Sequence, residues 1–545
     1  FSSRRRHTRY GTVTGVQTCA LPIWGAPVRY DVVIAGSGFS GSLLGWLLAR
    51  HGRSVLVVDR QRHPRFAIGE SSTPTADFLL AHLADRFGLP ELAPLACWGT
   101  WKQSSPEVIC GKKRGFSYYR HFSGQRFSDN AQHDLSMLAA ASSSDHWSDT
   151  HWLRSSVDHH LVQCATRAGV SVLENTTLVA AQFDSSAHLW SLQLQSVADV
   201  SEGSRNVQCT WLVDATGAGQ AISRQVNNPF DDDWMRTRTN AIYGHFRDVR
   251  GFSEAASADD PFSGDDAAQH HLLDSGWCWM LRMDNGTTSV GLVEPERLSG
   301  MSQLSVEGDN AGRGATPRDY FQRRMRQYPS LGDLFGSLSC CAPSDRMGFQ
   351  LRLSRCRRRA TGPGWVLLPI AFGFVDPLHS SGIAHALSGV LRVGEALLQD
   401  LKECQSRLQH YSQQVAAEVR WLDLLTGGCY RAMPDFRLFC GFAAWYFMAA
   451  IEFEKQLAAD PGHWPQGFLQ TGDEKLCAAA ERCFDLCAGT LPAQQSATVF
   501  DTMRRELEPW NRVGLLSEHL RNRLAHTAAP KYAAIAERRG RQPLP

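Results

Sequence analysis

Tyr30-Asp31-Val32-Val33-Ile34-Ala35 turns from polar to uninterrupted apolar, the pattern of a strand covered on both faces. Gly36-Ser37-Gly38-Phe39-Ser40-Gly41 breaks the run and opens a stretch of helical spacing, Ser42 to Arg50. A second apolar strand, Val55 to Val58, ends in Asp59. Further on, helices are predicted over Asp77 to Phe87 and Ser156 to Ala165, and a strand over Val170 to Leu173. Alternating segments at Leu178 to Phe183 and Trp190 to Leu194 read as a β-meander leading to the strand Thr210 to Val213. Trp277 to Arg282 and Thr288 to Val293 flank Asp284-Asn285-Gly286, which predicts a hairpin. Ser253 to Asp266 is polar and small and reads as a surface loop. The last sheet strand is predicted at Trp365 to Leu368, and beyond it the pattern is mostly helical.

A lone G-x-G-x-x-G says little. Here it stands between a strand and a helix, and a second strand ends in an acid about 20 residues on, which is the order of a dinucleotide fingerprint. Gly36 permits the tight turn, Gly38 lets the backbone approach a pyrophosphate, and Gly41 lets the helix pack close to the sheet. Ser37 and Ser40 complete the turn, whose amides face the phosphates at the helix N-terminus. Asp59 is expected to hold ribose hydroxyls.

Composition narrows the partners. Residues 1–24 resemble translated sequencing-adapter DNA and are expected to be an artefactual extension. Without their four Arg, 52 bases face 54 acids, so a basic surface for nucleic acid or anionic lipid loses its support. The longest apolar run, Leu438 to Ile451, is too short to span a bilayer, so no integral membrane segment is expected. It reads as a buried helix or as the wall of an aromatic pocket. The cysteines are scattered without a C-x-x-C pair, and His159-His160 and His270-His271 lack ligand spacing. Reduced thiols, a cytoplasmic location and no structural metal are expected.

Five segments together resemble the flavin-dependent halogenase family, over about residues 28 to 455. The first two are Gly36 to Gly41 with Asp59, and Val213-Asp214-Ala215-Thr216-Gly217. The third is Arg154 with Asp158 and Leu161, similar to an R-x-x-x-D-x-x-L helix start. Gly69-Glu70-Ser71-Ser72-Thr73-Pro74 is similar to the G-E-S-T-x-P strap between the flavin and halogenation sites. Asp376-Pro377-Leu378-His379-Ser380-Ser381-Gly382-Ile383 is similar to D-P-L-x-S-[ST]-G-I. The resemblance implies an α/β fold: an FAD-binding Rossmann-like domain of the aromatic-hydroxylase type, with an inserted β-sheet substrate domain and a helical C-terminal region. The expected division is 25–235 with 355–400 for the FAD unit, 236–354 for the substrate sheet, and 401–545 for the helical region.

On this resemblance Arg154, Asp214, Gly217 and Asp376 join the glycine turn and Asp59 in holding FAD, and the amides of Ser381 and Gly382 hold halide. Glu70 and Ser71 belong to the strap. Trp277 and Trp279 resemble the W-x-W-x-I-P element that keeps substrate from the flavin, with Leu281 and Arg282 in place of Ile and Pro. Paired Trp in a hairpin also pack well for their own sake. Cys110 to Tyr118 resembles the surroundings of the family's catalytic lysine and puts that role on Lys113, with Lys112 the nearest substitute. The implied chemistry runs through a flavin C4a-hydroperoxide and hypohalous acid, with halide and O2 as co-substrates and reduced FAD supplied by a separate flavin reductase. His379 stands where tryptophan halogenases carry Glu, which points to a phenol- or pyrrole-type substrate, free or tethered to a carrier protein. His379 is also an alternative base. Pro369-Ile370 replaces the Gly-Asp usual after this strand in flavoprotein hydroxylases, leaving one ribose contact for Asp376 to supply. A hydroxylating FAD monooxygenase, a reductase similar to geranylgeranyl reductases and a flavin-binding protein without turnover are the competing readings.

Overall fold

Val28–Ala35 is the middle strand of an eight-stranded sheet, parallel to Val55–Val58 on one side and to Ser204–Asp214 on the other. The computed structural model describes residues 28–198, 204–304, 315–336, 338–342, 344, 346–459, 465, 467–487 and 491–524. The extension at 1–24 lies outside them. Ser171–Leu173 and Trp365–Leu367 widen the sheet as further parallel strands. Thr176–Asp184 and Leu189–Ser196 form the expected meander against the first half of Ser204–Asp214. Ala35 is level with both Val58 and Asp214, so the turns after all three strands open along one edge. In open α/β sheets that carboxyl edge is where ligands bind.

The strands are apolar because helices cover them. Phe39–Arg50 packs against Arg154–Arg167 and Gly382–Leu397, and Pro74–Phe87 also lies on Gly382–Leu397. Leu43, Leu44, Leu47 and Leu48 are fully buried in that layer.

A second sheet holds the predicted hairpin, Trp277–Arg282 with Thr288–Pro295, beside Thr239–Phe246. It reaches beyond 236–354: Gly115–Arg120 and Ser136–Ala140 join through Ala267–Leu272, and Arg523–Leu524 closes the far edge. Residues inside the interval expected for the FAD unit therefore belong to the second sheet.

Two long helices, Leu401–Ala432 and Phe436–Ala459, pack on each other. The second continues past the apolar run through Glu452 and Glu454 and is long and apolar enough to cross a membrane, but 89% of its apolar window is buried inside the protein. Thr75 donates to Glu454 at 2.8 Å from the start of the Pro74–Phe87 helix, a buried polar tie that suits a core helix.

Candidate functional site

At the sheet edge the glycine turn is required by its neighbours. Gly36 has φ +102°, and a Cβ there would lie 2.6 Å from the Ala215 carbonyl oxygen. The Val213–Gly217 segment is that close because the Ala215 amide donates to Ala35 at 2.8 Å. A Cβ at Gly41 would collide with the Gly36 carbonyl oxygen. The helix that follows has Gly38 as its N-cap and no side-chain cap, so its first amides are left for an acceptor. Two guanidinium groups, Arg65 and Arg154, lie 3.6 and 3.5 Å from the position of a Gly38 Cβ. A bare turn, an uncapped helix and two cations fit the pyrophosphate of FAD. Gly41→Ala is expected to lose FAD binding by equilibrium fluorescence, because the new methyl must push the helix off the turn.

Asp59 ends its strand beside this turn and accepts from the Ser37 amide at 2.8 Å, the Ser37 hydroxyl at 2.7 Å and Arg65 at 3.3 Å. Burial pulls its carboxyl up, but Arg65 and the Gln61 and Ser37 amides outweigh that and hold it below the usual range. Arg154 grips Asp158 through two bonds of 2.8 Å and donates to the carbonyls of Ile68 and Gly69 at 2.9 and 3.1 Å. It therefore ties the strap to the cofactor cleft.

Asp214 and Asp376 act inside their own loops. Asp214 accepts from the Thr216 amide and hydroxyl and from the Ile222 amide, which shapes the turn at Gly217, φ +57°. Asp376 accepts from Thr239 at 2.9 Å, Tyr430 at 3.0 Å and the Leu378 amide at 3.0 Å. These three bonds fix the loop that leads to Gly382, and Asp376 also lines the small cavity beside Ser381 and Gly382. Burial raises its pKa to about 6. Tyr430 in turn accepts from the Trp277 indole at 2.9 Å, so one chain of bonds runs from Trp277 through Tyr430 to Asp376. Trp279 bonds Ser289 at 3.1 Å, and the two indoles lie 6.0 Å apart.

From the cleft the strap leads to Lys113. Cys110–Lys113 pairs antiparallel with Asp149–Trp152, and alternation along the strand sends Lys112 and Lys113 to opposite faces. Lys112 goes to Asp145 at 2.7 Å and Asp266 at 3.1 Å. Lys113 is fully buried, donates to the Ser72 carbonyl of the strap at 2.5 Å, and lies 3.9 Å above the centre of the Phe116 ring. The three-base run is thus one interior lysine beside two surface cations.

Around Lys113 the walls are aromatic. Phe116 stacks near Tyr118, Tyr118 on His270 at 4.6 Å, and His270 on Trp277 at 5.0 Å. Burial first, then the charge of Lys113, lowers His151 and His270 to about 3. His379 stacks on Tyr446 at 4.4 Å with Cys429 Sγ 3.7 Å from its Nε2. Burial and then His270 lower it to about 3, so it is a weak base and packs as an aromatic wall. Glu70 is buried and pairs with His245 at 2.8 Å, bracing the strap against the second sheet. Burial favours the neutral imidazole, but Glu70 overrides it and raises the His245 pKa. Ser71 bridges to His151 across the strap.

Ser381 caps the Gly382–Leu397 helix without a side-chain bond, leaving its first amides towards a cavity of about 10 Å³ that Ser381, Gly382 and Phe374 line. That is room for a single small occupant. Arg65 and Tyr430 lie outside the segments singled out in the sequence. Tyr430 joins the site through Trp277 and Asp376, remote in the chain, and Arg65 through Asp59 and Asp158. Among the described residues, no group of three His, Cys, Asp or Glu has the arrangement of a metal site.

The strap thus connects a nucleotide-type cleft at one end with the buried Lys113 at the other. The chain belongs to the tryptophan halogenase family of flavin-dependent halogenases: that family's model matches residues 126–426, more than half of the sequence, and an NAD(P)-binding Rossmann-like domain matches residues 34–85. Tetracycline 7-halogenase of Kitasatospora aureofaciens is 25% identical over 515 residues, covering 88% of this chain and 87% of the relative. Monodechloroaminopyrrolnitrin halogenase PrnC of Pseudomonas fluorescens is 24% identical over 429 residues, 76% of this chain and 70% of the relative. The crystal structure of halogenase PltM with phloroglucinol and FAD has the same fold: TM-score 0.76 at 21% identity, covering 91% of this chain and all of the other. The protein is therefore an enzyme, a flavin-dependent halogenase that uses FAD with halide and O2 as co-substrates.

Proposed function

We propose that this enzyme halogenates an electron-rich aromatic ring of the phenol or pyrrole type, with Lys113 delivering the halogen. The observation that carries the reading is the Lys113 ammonium, buried among aromatic walls and bonded to the strap that leads from the FAD cleft. The substrate class is supported by His379 in place of an acid, since a phenol needs no further base to be electron-rich, and by the phloroglucinol bound to PltM. Bound in its reduced form, FAD supplies the electrons by which O2 and halide become hypohalous acid and water. The Nζ of Lys113 holds that acid by hydrogen bonding and turns its halogen towards the ring. A ring carbon takes the halogen, loses its proton, and water leaves. Ser381 and Gly382 hold halide at the start of their helix, and Trp277 and Trp279 wall the ring off from the flavin. In this reading Lys113 is the catalytic residue, Ser381 and Gly382 the halide site, and Glu70 and Ser71 part of the strap. Asp376 and Asp214 position loops, and His379 packs the wall.

The Trp277–Tyr430–Asp376 chain is expected to hold that wall. Tyr430→Phe should retain FAD, lose about 1 kcal/mol of stability, and give less halogenated product per NADH consumed.

A separate flavin reductase is expected as partner. Assays with and without a purified reductase test the two-component reading. Product is expected only when reductase, NADH, FAD and halide are all present. Direct NAD(P)H oxidation by the protein alone, with an oxygenated product, would replace it with a hydroxylase.

A further inference from the structure

The buried arginines of this chain divide into two kinds. Arg120, Arg154, Arg392 and Arg523 each pair with a carboxylate, Asp274, Asp158, Glu418 and Asp260 respectively. Arg355 does not. It is 6% exposed, and its bonds go to two backbone carbonyls, Leu353 at 2.9 Å and Ile370 at 3.2 Å. Its Nε finds no acceptor, and among the described residues no acid lies within ion-pair distance. Its neighbour Arg357 likewise bonds only neutral acceptors, Gln220 and the Asn228 carbonyl. Burial, then the charge of Arg357, lowers the Arg355 guanidinium to about 10. A buried cation with no counter-charge is costly, and proteins keep one where something else supplies the anion.

Its place in the fold says where that anion goes. Arg355–Cys356 pairs antiparallel with Gly373–Phe374, and the guanidinium lies 5.6 Å from the Phe374 ring centre. Ile370, whose carbonyl it holds, is 3.6 Å from where a Gly217 Cβ would be, and Phe374 is as close to a Gly382 Cβ. Arg355 thus stands behind the wall joining the two loops of the flavin cleft. The small cavity lined by Ser381 and Gly382 shares Ile370 and Phe374 with it. Arg355 thus brings an uncompensated positive charge to the back of this wall.

We propose that Arg355 is the counter-cation for a monoanion held in this cleft, either the ring of reduced FAD or the halide ion. The proposal rests on the flavin-halogenase reading above. Both sources are compact single charges that bind beside the 370–382 wall, and they separate by titration.

The test uses the full chain and the variants Arg355→Gln, Arg355→Lys and Arg355→Met. Oxidised FAD is titrated by fluorescence, reduced FAD by anaerobic ultrafiltration, and bromide by its perturbation of the bound-flavin absorbance. Arg355→Gln is expected to leave oxidised FAD binding intact and to weaken one anion by about ten- to a hundredfold. Arg355→Lys should recover most of it. Selective loss for reduced FAD identifies the ring as the anion, and selective loss for bromide identifies the halide. The apo melting temperature of Arg355→Met should hold or rise, because an unpaired buried charge is removed. Unchanged binding of both anions in a folded Gln or Met variant overturns the proposal, as does an apo protein that no longer folds with Met, which would make Arg355 a structural residue. A wild-type protein that binds no FAD at all would instead refute the flavin reading.

Discussion

Lys113→Met is expected to cut halogenated product by a factor on the order of 10²–10⁴, the usual span for losing a proton-transferring or activating side chain. The reason is geometric. Lys113 is fully buried and fixed by the Ser72 carbonyl and the Phe116 face, so no other cation replaces it. Lys112, one residue away, faces Asp145 and Asp266 on the far side of the strand. FAD binding should survive, since the glycine turn, Asp59 and Arg154 make no bond to Lys113. Hypohalous acid should then escape, and a scavenger added to the assay should capture more of it than with wild type. Lys112→Ala should stay close to wild type in the same assay. Equal loss in both variants, or full activity in Lys113→Met, would contradict the assignment.

The largest effect on stability is expected at Glu418. Its fully buried carboxylate takes two bonds from Arg392, 2.7 and 2.8 Å, one from His385 at 3.1 Å and one from the Phe468 amide at 3.1 Å. These residues join the Gly382–Leu397 helix to Leu401–Ala432, so they hold the helix that begins at Ser381 and Gly382. Glu418→Ala removes the carboxylate that takes two bonds from the buried Arg392 guanidinium, which costs about 3–5 kcal/mol. The pH dependence has a definite sign. Burial alone would raise the Glu418 pKa, but Arg392 and then His385 outweigh it and lower it from 4.5 to about 2. A carboxylate lowered on folding stabilises fully above its unfolded pKa and loses that contribution as pH falls through the folded one. The gap between wild type and Glu418→Ala in denaturant melts should therefore be widest at neutral pH and close between about pH 4.5 and pH 2. A gap that is absent at neutral pH would show that the pair is not what holds the helices.

Local chemistry was readable along the chain, and long-range pairing was not. The turn at Gly36–Gly41 announces itself because strand, glycines, helix and acid stand in one short stretch, and Ala35 sits level with Val58 as that stretch implies. The Trp277–Arg282 hairpin follows from its Asn-Gly turn in the same way. The resemblance already put the role on Lys113 with Lys112 the nearest substitute, but only the pairing with Asp149–Trp152 shows which of the two turns inward. The acidity of Asp376 was visible in the sequence and its partners were not: Thr239 and Tyr430 lie 137 and 54 residues away. Gly115–Arg120 joins the second sheet by pairing with Ala267–Leu272, a parallel contact across a long crossover that no local pattern encodes. The apolar run ended at Ile451 in the sequence, yet its helix continues to Ala459, since Glu454 is tied to Thr75 in the interior.

The central claim is halogen transfer to an aromatic ring through Lys113. It is tested most directly by mass spectrometry of turnover mixtures containing FAD, a flavin reductase, NADH, bromide and a pooled panel of phenols, pyrroles and indoles. The account predicts a bromine isotope doublet on a phenol or pyrrole that vanishes with Lys113→Met. Products heavier by one oxygen and indifferent to halide would contradict it.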